Sequence, residues 1–148
     1  MPIAAALALA VPRAATAQGW RETGVWGAAL FSRPAFVGGG LSWSRRDAGR
    51  TRLGAAVALG DEEGAGVAGR VEGVWHFLLS PDRRSGAGIY GGGGLALAIG
   101  HDGRASPALE LVLGAETAPA GPRGTFIEVG VGRGARVAVG IRWRKRTP

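Results

Sequence analysis

The sequence predicts an all-β fold, an eight-stranded antiparallel up-and-down barrel that carries its bulky side chains on the outside. Three observations predict it. Apolar residues alternate with small or charged ones in segment after segment, which is the two-residue period of a strand. Eight such segments are joined by short connectors rich in Gly, Pro, Asp and Arg, with no helical period between them. The face opposite the bulky residues is built of Gly, Ala, Arg and Glu, which would leave the core of a water-soluble barrel empty of packing atoms. Hydrocarbon around the barrel reverses that requirement, so the strands are predicted to be transmembrane.

The segments are 20–31, 36–45, 51–60, 67–79, 89–100, 108–117, 124–132 and 135–144. The first, with its Val25-Trp26-Gly27-Ala28-Ala29-Leu30 run, has no clear sidedness, and a bulge is compatible with it. The second sets Val37, Leu41 and Trp43 against Gly38, Gly40, Ser42 and Ser44; the third sets Leu53, Ala55, Val57 and Leu59 against Arg52, Gly54, Ala56 and Ala58. The fourth carries Arg70 and Glu72, and the fifth holds Gly91 to Gly94, a place for close strand contact or a bulge. In the sixth, Leu109, Leu111, Leu113, Ala115 and Thr117 alternate with Glu110, Val112, Gly114 and Glu116. The seventh alternates Ile127, Val129 and Val131 with Glu128, Gly130 and Gly132. The eighth is the clearest, with Ala135, Val137, Val139, Ile141 and Trp143 against Arg136, Ala138, Gly140, Arg142 and Arg144. Segments of about ten residues suit a tilted strand crossing a hydrocarbon core, and an even count closes the sheet without edges.

At 148 residues the chain is one domain. Residues 3–11 are an unbroken Ile, Ala, Leu and Val run, followed by Ala15-Thr16-Ala17. This is read as a signal peptide over 1–17, with the barrel domain over 18–148. The run is too short for a transmembrane helix. Glycine reaches 28 residues without a collagen period, and cysteine is absent, which removes disulfides and thiolate metal sites. A net charge of +7 raises nucleic-acid binding as a class, but no aromatic-basic recognition motif lies between the arginines and an exported chain seldom meets nucleic acid, so none is expected as a partner.

An eight-stranded interior is just wide enough for side chains to fill. The predicted inward charged set is Arg70, Glu72, Glu110, Glu116, Glu128, Arg136 and Arg142, which must pair or hold water because isolated charge there is costly. Running the chain up and down places Trp20, Trp26, Trp43, Trp75, Tyr90 and Trp143, together with Phe77, at or near one rim, where an interfacial aromatic girdle sits. Phe31 and Phe36 flank the first turn at the other rim. Arg45, Arg46, Arg50, Arg83, Arg84, Arg123, Arg144, Lys145 and Arg146 belong to the tryptophan end, whereas Asp61, Glu62, Glu63 and Asp102 belong to the opposite turns. The basic end carries both termini and is expected to face the periplasm, within reach of anionic lipid headgroups.

Together these residues resemble the small eight-stranded outer-membrane β-barrel proteins of Gram-negative-type bacteria, over roughly residues 18–148. The resemblance implies export through the periplasm, location in the outer membrane, membrane lipids as surroundings and the barrel-insertion machinery as a partner. That machinery reads a last strand ending on an aromatic, here Val137 to Trp143, although the basic extension Arg144 to Pro148 departs from the pattern. Short connectors, where the family tends to long loops, weigh against an adhesin or receptor. The pattern does not name protein partners.

Other chemistry is weakly signalled. Two G-x-G-x-x-G matches, Gly64 to Gly69 and Gly86 to Gly91, open no helix and are read as barrel packing. His76 and His101 are the only histidines, and no spacing suggests a metal site; Asp61-Glu62-Glu63 reads as a solvated turn. His101-Asp102 lies five residues before Ser106, which invites comparison with outer-membrane barrels that hydrolyse or transfer lipid acyl chains. The sequence therefore predicts no catalytic residue and no cofactor. Its leading reading is an integral outer-membrane barrel with a structural or interaction role and no large open pore. A soluble periplasmic, lipocalin-like barrel that binds a small apolar ligand is the alternative, with the acyl enzyme behind it.

Overall fold

Eight strands run in sequence order around a closed barrel, each antiparallel to the next, with the last pairing to the first. The computed structural model describes residues 19–147. The strands are β1 (Trp20–Phe31), β2 (Phe36–Arg46), β3 (Thr51–Glu62), β4 (Gly66–Leu78), β5 (Ala87–Ile99), β6 (Ala105–Thr117), β7 (Arg123–Val131) and β8 (Ala135–Arg146). The expected signal segment, 1–17, lies outside the described residues. A 12-residue strand rising about 3.3 Å per residue and tilted about 40° covers roughly 30 Å of barrel height, the thickness of a hydrocarbon core.

The barrel has two unlike ends. Both described termini, and the turns at 47–50, 79–86 and 118–122, lie at one end, called here the terminal end. The turns at 32–35, 63–65, 100–104 and 132–134 lie at the far end.

The face directions follow the alternation. Leu53, Leu59, Leu95, Leu109, Leu111, Leu113, Val129 and Val139 all stand exposed on the outer wall, Leu109 at 77%. Glu128, Arg142 and their neighbours are buried inside. The bulky residues therefore form no central core. What fills the interior is a patch of Trp26, Ala28, Leu30, Phe36, Ala56, Ala58, Ala68, Phe126 and Ala138 interleaved with buried charge, since Arg136 is the register partner of Leu30, Glu72 of Ala56 and Arg70 of Ala58, with further charge toward the terminal end.

β1 is continuous and has no bulge, since its register with β2 and with β8 is unbroken. From Trp26 to Leu30 it inverts the rule of the other strands, with Trp26 and Leu30 inward and Gly27 and Ala29 outward, whereas Val25 and Phe31 on either side stand outward. The reason lies on its neighbours. Trp26 is the register partner of Gly40 on β2 and Gly140 on β8, and two missing side chains leave room for the indole. The same device recurs where Tyr90 lies across from Gly114 and Phe126 across from Gly140. A small barrel thus interdigitates a few inward rings with glycines, as large and small residues must alternate inside a narrow cylinder.

Two of the sequence expectations move. β6 begins at Ala105 rather than 108, because Ser106 and Pro107 pair with Ala98 and Leu97. Pairing of β6 with β7 starts only at Leu111, so residues 105–110 keep a free edge on that side, where a proline without an N–H is tolerated. The Gly91–Gly94 run contains no bulge; it is a close contact, since a Cβ on Gly94 would collide with the backbone of Gly73 and Val74.

Candidate functional site

Every strand sends at least one polar or charged side chain to the barrel axis, and together they form one connected ladder of alternating sign. At its inner foot, Arg70 on β4 donates to Glu110 on β6 and to Glu72 two residues further along its own strand. Glu72 meets Arg136 of β8 at 3.4 Å, and Arg136 donates to Glu128 of β7 at 2.8 Å. Glu128 then accepts from Arg142 at 2.9 Å, and Arg142 reaches Glu116 of β6 at 2.9 Å. Glu116 also accepts from Arg52 of β3 at 2.6 Å and from Arg144 at 2.8 Å. Arg52 Nε lies 2.8 Å from Glu22 of β1, and Arg46 of β2 completes the run 4.0 Å from Glu22.

The tally is six arginines against five glutamates among the buried residues, His76 aside. Charges taken out of water at this density persist only when each finds opposite charge and further hydrogen bonds. Here they do. Tyr90, 1% exposed, donates its hydroxyl to Glu128 at 2.7 Å, while Arg142 packs 4.0 Å from the centre of the Phe126 ring and Arg136 lies over Trp26. His76 lies edge-on to Tyr90, 5.0 Å between ring centres, and 4.0 Å from Glu128.

The ladder also closes the terminal end. Arg46 donates to the Pro119 carbonyl at 2.9 Å, and Arg144 donates to the carbonyls of Ala118 and Gly121. These bonds fold the 118–122 turn across the barrel mouth, with Pro119 fully buried beneath it. At the middle of the ladder a cavity of about 40 Å³ remains, bordered by Trp26, Ser42, Ser44, Arg52, His76, Phe126 and Arg142. That is far below the several hundred Å³ of a small-molecule pocket. The far end instead opens into a vestibule of about 400 Å³ with Leu30, Phe36 and Ala68 on its wall and Arg70 at its floor.

All seven inward charges expected from the sequence, Arg70, Glu72, Glu110, Glu116, Glu128, Arg136 and Arg142, lie in this ladder. Glu22, Arg46, Arg52 and Arg144 join them and were not in that set. Arg52 and Arg144 stood on the small-residue faces of β3 and β8, so extending the alternation to the strand ends would have found them. Glu22 was hidden by the ambiguous sidedness of β1.

The aromatic expectation needs correction. Trp43, Trp75 and Trp143 stand on the outer wall near the terminal end, with Phe77 beside them. Trp26 and Tyr90 face the interior, because glycines on the neighbouring strands make space for their rings there and Tyr90 finds a carboxylate for its hydroxyl. Trp20 also turns to the inner side, stacked between Arg46 and Arg146 at 5.2 and 4.9 Å. Phe36 likewise faces in, leaving Phe31 alone outside at the far rim.

His101, Asp102 and Ser106 line the far vestibule, together with Glu62, Arg104 and Arg133. Asp102 is engaged with Arg104, through its backbone N–H at 3.0 Å and its side chain at 3.4 Å. Among the described residues, no hydrogen bond joins His101 to Asp102 or Ser106, so nothing there aligns a base with a nucleophile.

An outward apolar wall around an ion-paired interior defines the class: the fold is that of the small eight-stranded outer-membrane β-barrels. Among solved structures, the N-terminal barrel domain of Pseudomonas aeruginosa OprF superposes with a TM-score of 0.67 at 13% identity, over 87% of this chain and 99% of that one. Neisserial surface protein A gives 0.60 at 13% identity, over 84% and 96%. Ail of Yersinia pestis, solved in complex with the heparin analogue sucrose octasulfate, gives 0.54 at 11% identity, over 87% and 99%. No protein-family model matches the sequence, and no curated protein does.

Proposed function

We propose that this chain is an integral outer-membrane barrel, exported through the periplasm on its N-terminal segment. In this reading it serves a structural or interaction role in the envelope, without catalysis and without a pore for large solutes. One observation carries the reading: the outer wall presents large apolar side chains on every strand, Val25 and Phe31 on β1 included, while among the described residues the charge at mid-height is paired inside. Water around that wall would solvate roughly two dozen large apolar side chains, which no stable soluble barrel exposes. The lipocalin-like alternative lacks its central cavity, and the acyl-enzyme reading lacks an aligned nucleophile. The Val137 to Trp143 stretch of β8 supports handling by the barrel-insertion machinery.

The absence of cysteine makes the test clean. Val139→Cys and Ser42→Cys, on outward and inward positions, are labelled with an environment-sensitive dye in folded protein in vesicles. A quencher held in the lipid acyl region dims the Val139 label strongly and the Ser42 label weakly. Equal quenching, or a chain that alkaline carbonate washes from membranes and that migrates identically before and after boiling, would refute the reading.

A further inference from the structure

Three cations stand side by side on the outer wall at the terminal end. Arg21 on β1 is the direct register partner of Arg45 on β2 and of Lys145 on β8. All three are exposed. Direct partners lie about 5 Å apart, and like charges directly opposite destabilise a sheet. Among the described residues, none of the three pairs with a carboxylate: the nearest glutamate in sequence, Glu22, points to the other face, and Asp47 is taken up by the N–H groups of Gly49 and Thr51. Two residues further along the same strands, and on the same face, are Trp43 and Trp143, both register partners of Thr23. Arg123 of β7 covers Trp143 with its guanidinium 5.9 Å from the ring centre.

The cations are confined to this quadrant. Toward the same end the outer positions of β3 to β6 are Leu53, Trp75, Phe77, Ile89, Ala115 and Thr117, while β7, next to β8, adds Arg123 beside Trp143. A uniform belt would suit a diffuse attraction to the membrane surface. A block of three cations beside two indoles at the edge of the apolar wall suits a single group instead: a phosphate whose attached chains continue along that wall.

We propose that Arg21, Arg45 and Lys145 form a seat for the phosphate of one anionic glycerophospholipid in the leaflet at the terminal end, with Trp43 and Trp143 against its glycerol and upper acyl chains. The proposal rests on the membrane reading above. The phosphate relieves the repulsion among the three cations, and Arg accepts it in two-pronged fashion.

The test places the folded full-length chain in nanodiscs of phosphatidylcholine containing a minor share of phosphatidylglycerol and counts retained lipids by native mass spectrometry. Wild type retains one phosphatidylglycerol in preference to phosphatidylcholine. Each of Arg21→Gln, Arg45→Gln and Lys145→Gln lowers that preference about fivefold, while a triple Gln variant at Arg33, Arg84 and Arg133, which removes three charges where each single removes one, leaves it unchanged. Arg21→Lys keeps most of it. Equal loss in the control triple, no preference in wild type, or displacement by inorganic phosphate at matched ionic strength would each overturn the proposal. Gel migration before and after boiling reports folding throughout. A chain that fails to enter nanodiscs of either composition refutes the membrane reading itself, whereas entry without preference refutes only the lipid seat.

Discussion

Glu128→Gln removes one charge from the middle of the interior ladder while keeping the side chain's shape. Glu128 is the link between the two halves of that ladder, accepting from Arg136 at 2.8 Å, Arg142 at 2.9 Å and Tyr90 at 2.7 Å. Losing one partner of a buried ion pair costs about 3–5 kcal/mol. Each arginine keeps a second carboxylate, Glu72 for Arg136 and Glu116 for Arg142, which sets the expected loss near the lower bound, about 3 kcal/mol. The charge count states the cause. The interior goes from six arginines against five glutamates to six against four, doubling its excess positive charge. Adding Arg142→Met restores an excess of one, so the double variant should be more stable than the sum of the singles predicts, by about 1–3 kcal/mol. Urea unfolding in lipid vesicles, followed by tryptophan emission and by gel migration before and after boiling, measures all four proteins. A Glu128→Gln cost under about 1 kcal/mol, or strict additivity in the double variant, would show that these charges are screened by solvent and not coupled, and the ladder would lose its structural role.

Other positions test separate links. Val139→Arg, on the outer wall, should destabilise by about 2–4 kcal/mol if hydrocarbon surrounds it, against about 0.5 kcal/mol or less in water; the same unfolding measurement decides. Gly94→Val should abolish folding, because its Cβ meets the backbone of Gly73 and Val74, which cannot yield, whereas Gly73→Val, with nothing within 4 Å of its Cβ, should fold normally; refolding yield on gels compares them. Asp47→Ala removes the acceptor that holds Gly49 N, Thr51 N and Thr51 Oγ1 in the 47–50 turn, at an expected cost of about 0.5–1 kcal/mol. Partial burial works to raise the Asp47 carboxyl, but the Thr51 and Gly49 donors outweigh it and hold it below the ordinary aspartate value. A depressed folded value means that this contribution is full above about pH 4 and is lost as pH falls through the folded value. Thermal unfolding of wild type and Asp47→Ala should therefore converge in acid, and a gap that persists there would discard the assignment.

Strand number, order and face direction were legible in the chain because they follow from local rules. A period of two assigns faces, and short turns force neighbours in sequence to be neighbours in space. The identity of the small-residue face, with Glu110, Glu128, Arg136 and Arg142 among glycines and alanines, was enough to turn the barrel inside out. The limits fall where a residue's fate depends on what lies across from it. Trp26, Tyr90 and Trp20 carry the composition of a girdle, yet their direction is set by Gly40, Gly140, Gly114 and the arginines of other strands, contacts that exist only once the sheet is closed.

The one-dimensional pattern thus determined by itself that eight strands form, where they turn, and which face is bulky, since each of these is decided within a few residues of chain. Only the tertiary structure decided which arginine meets which glutamate, that Glu22, Arg46, Arg52 and Arg144 extend the ladder to the 118–122 turn, and that Arg21, Arg45 and Lys145 stand abreast. Those are pairings across the register, between residues up to 124 positions apart. Closing the last strand onto the first is what brings them within Coulombic reach.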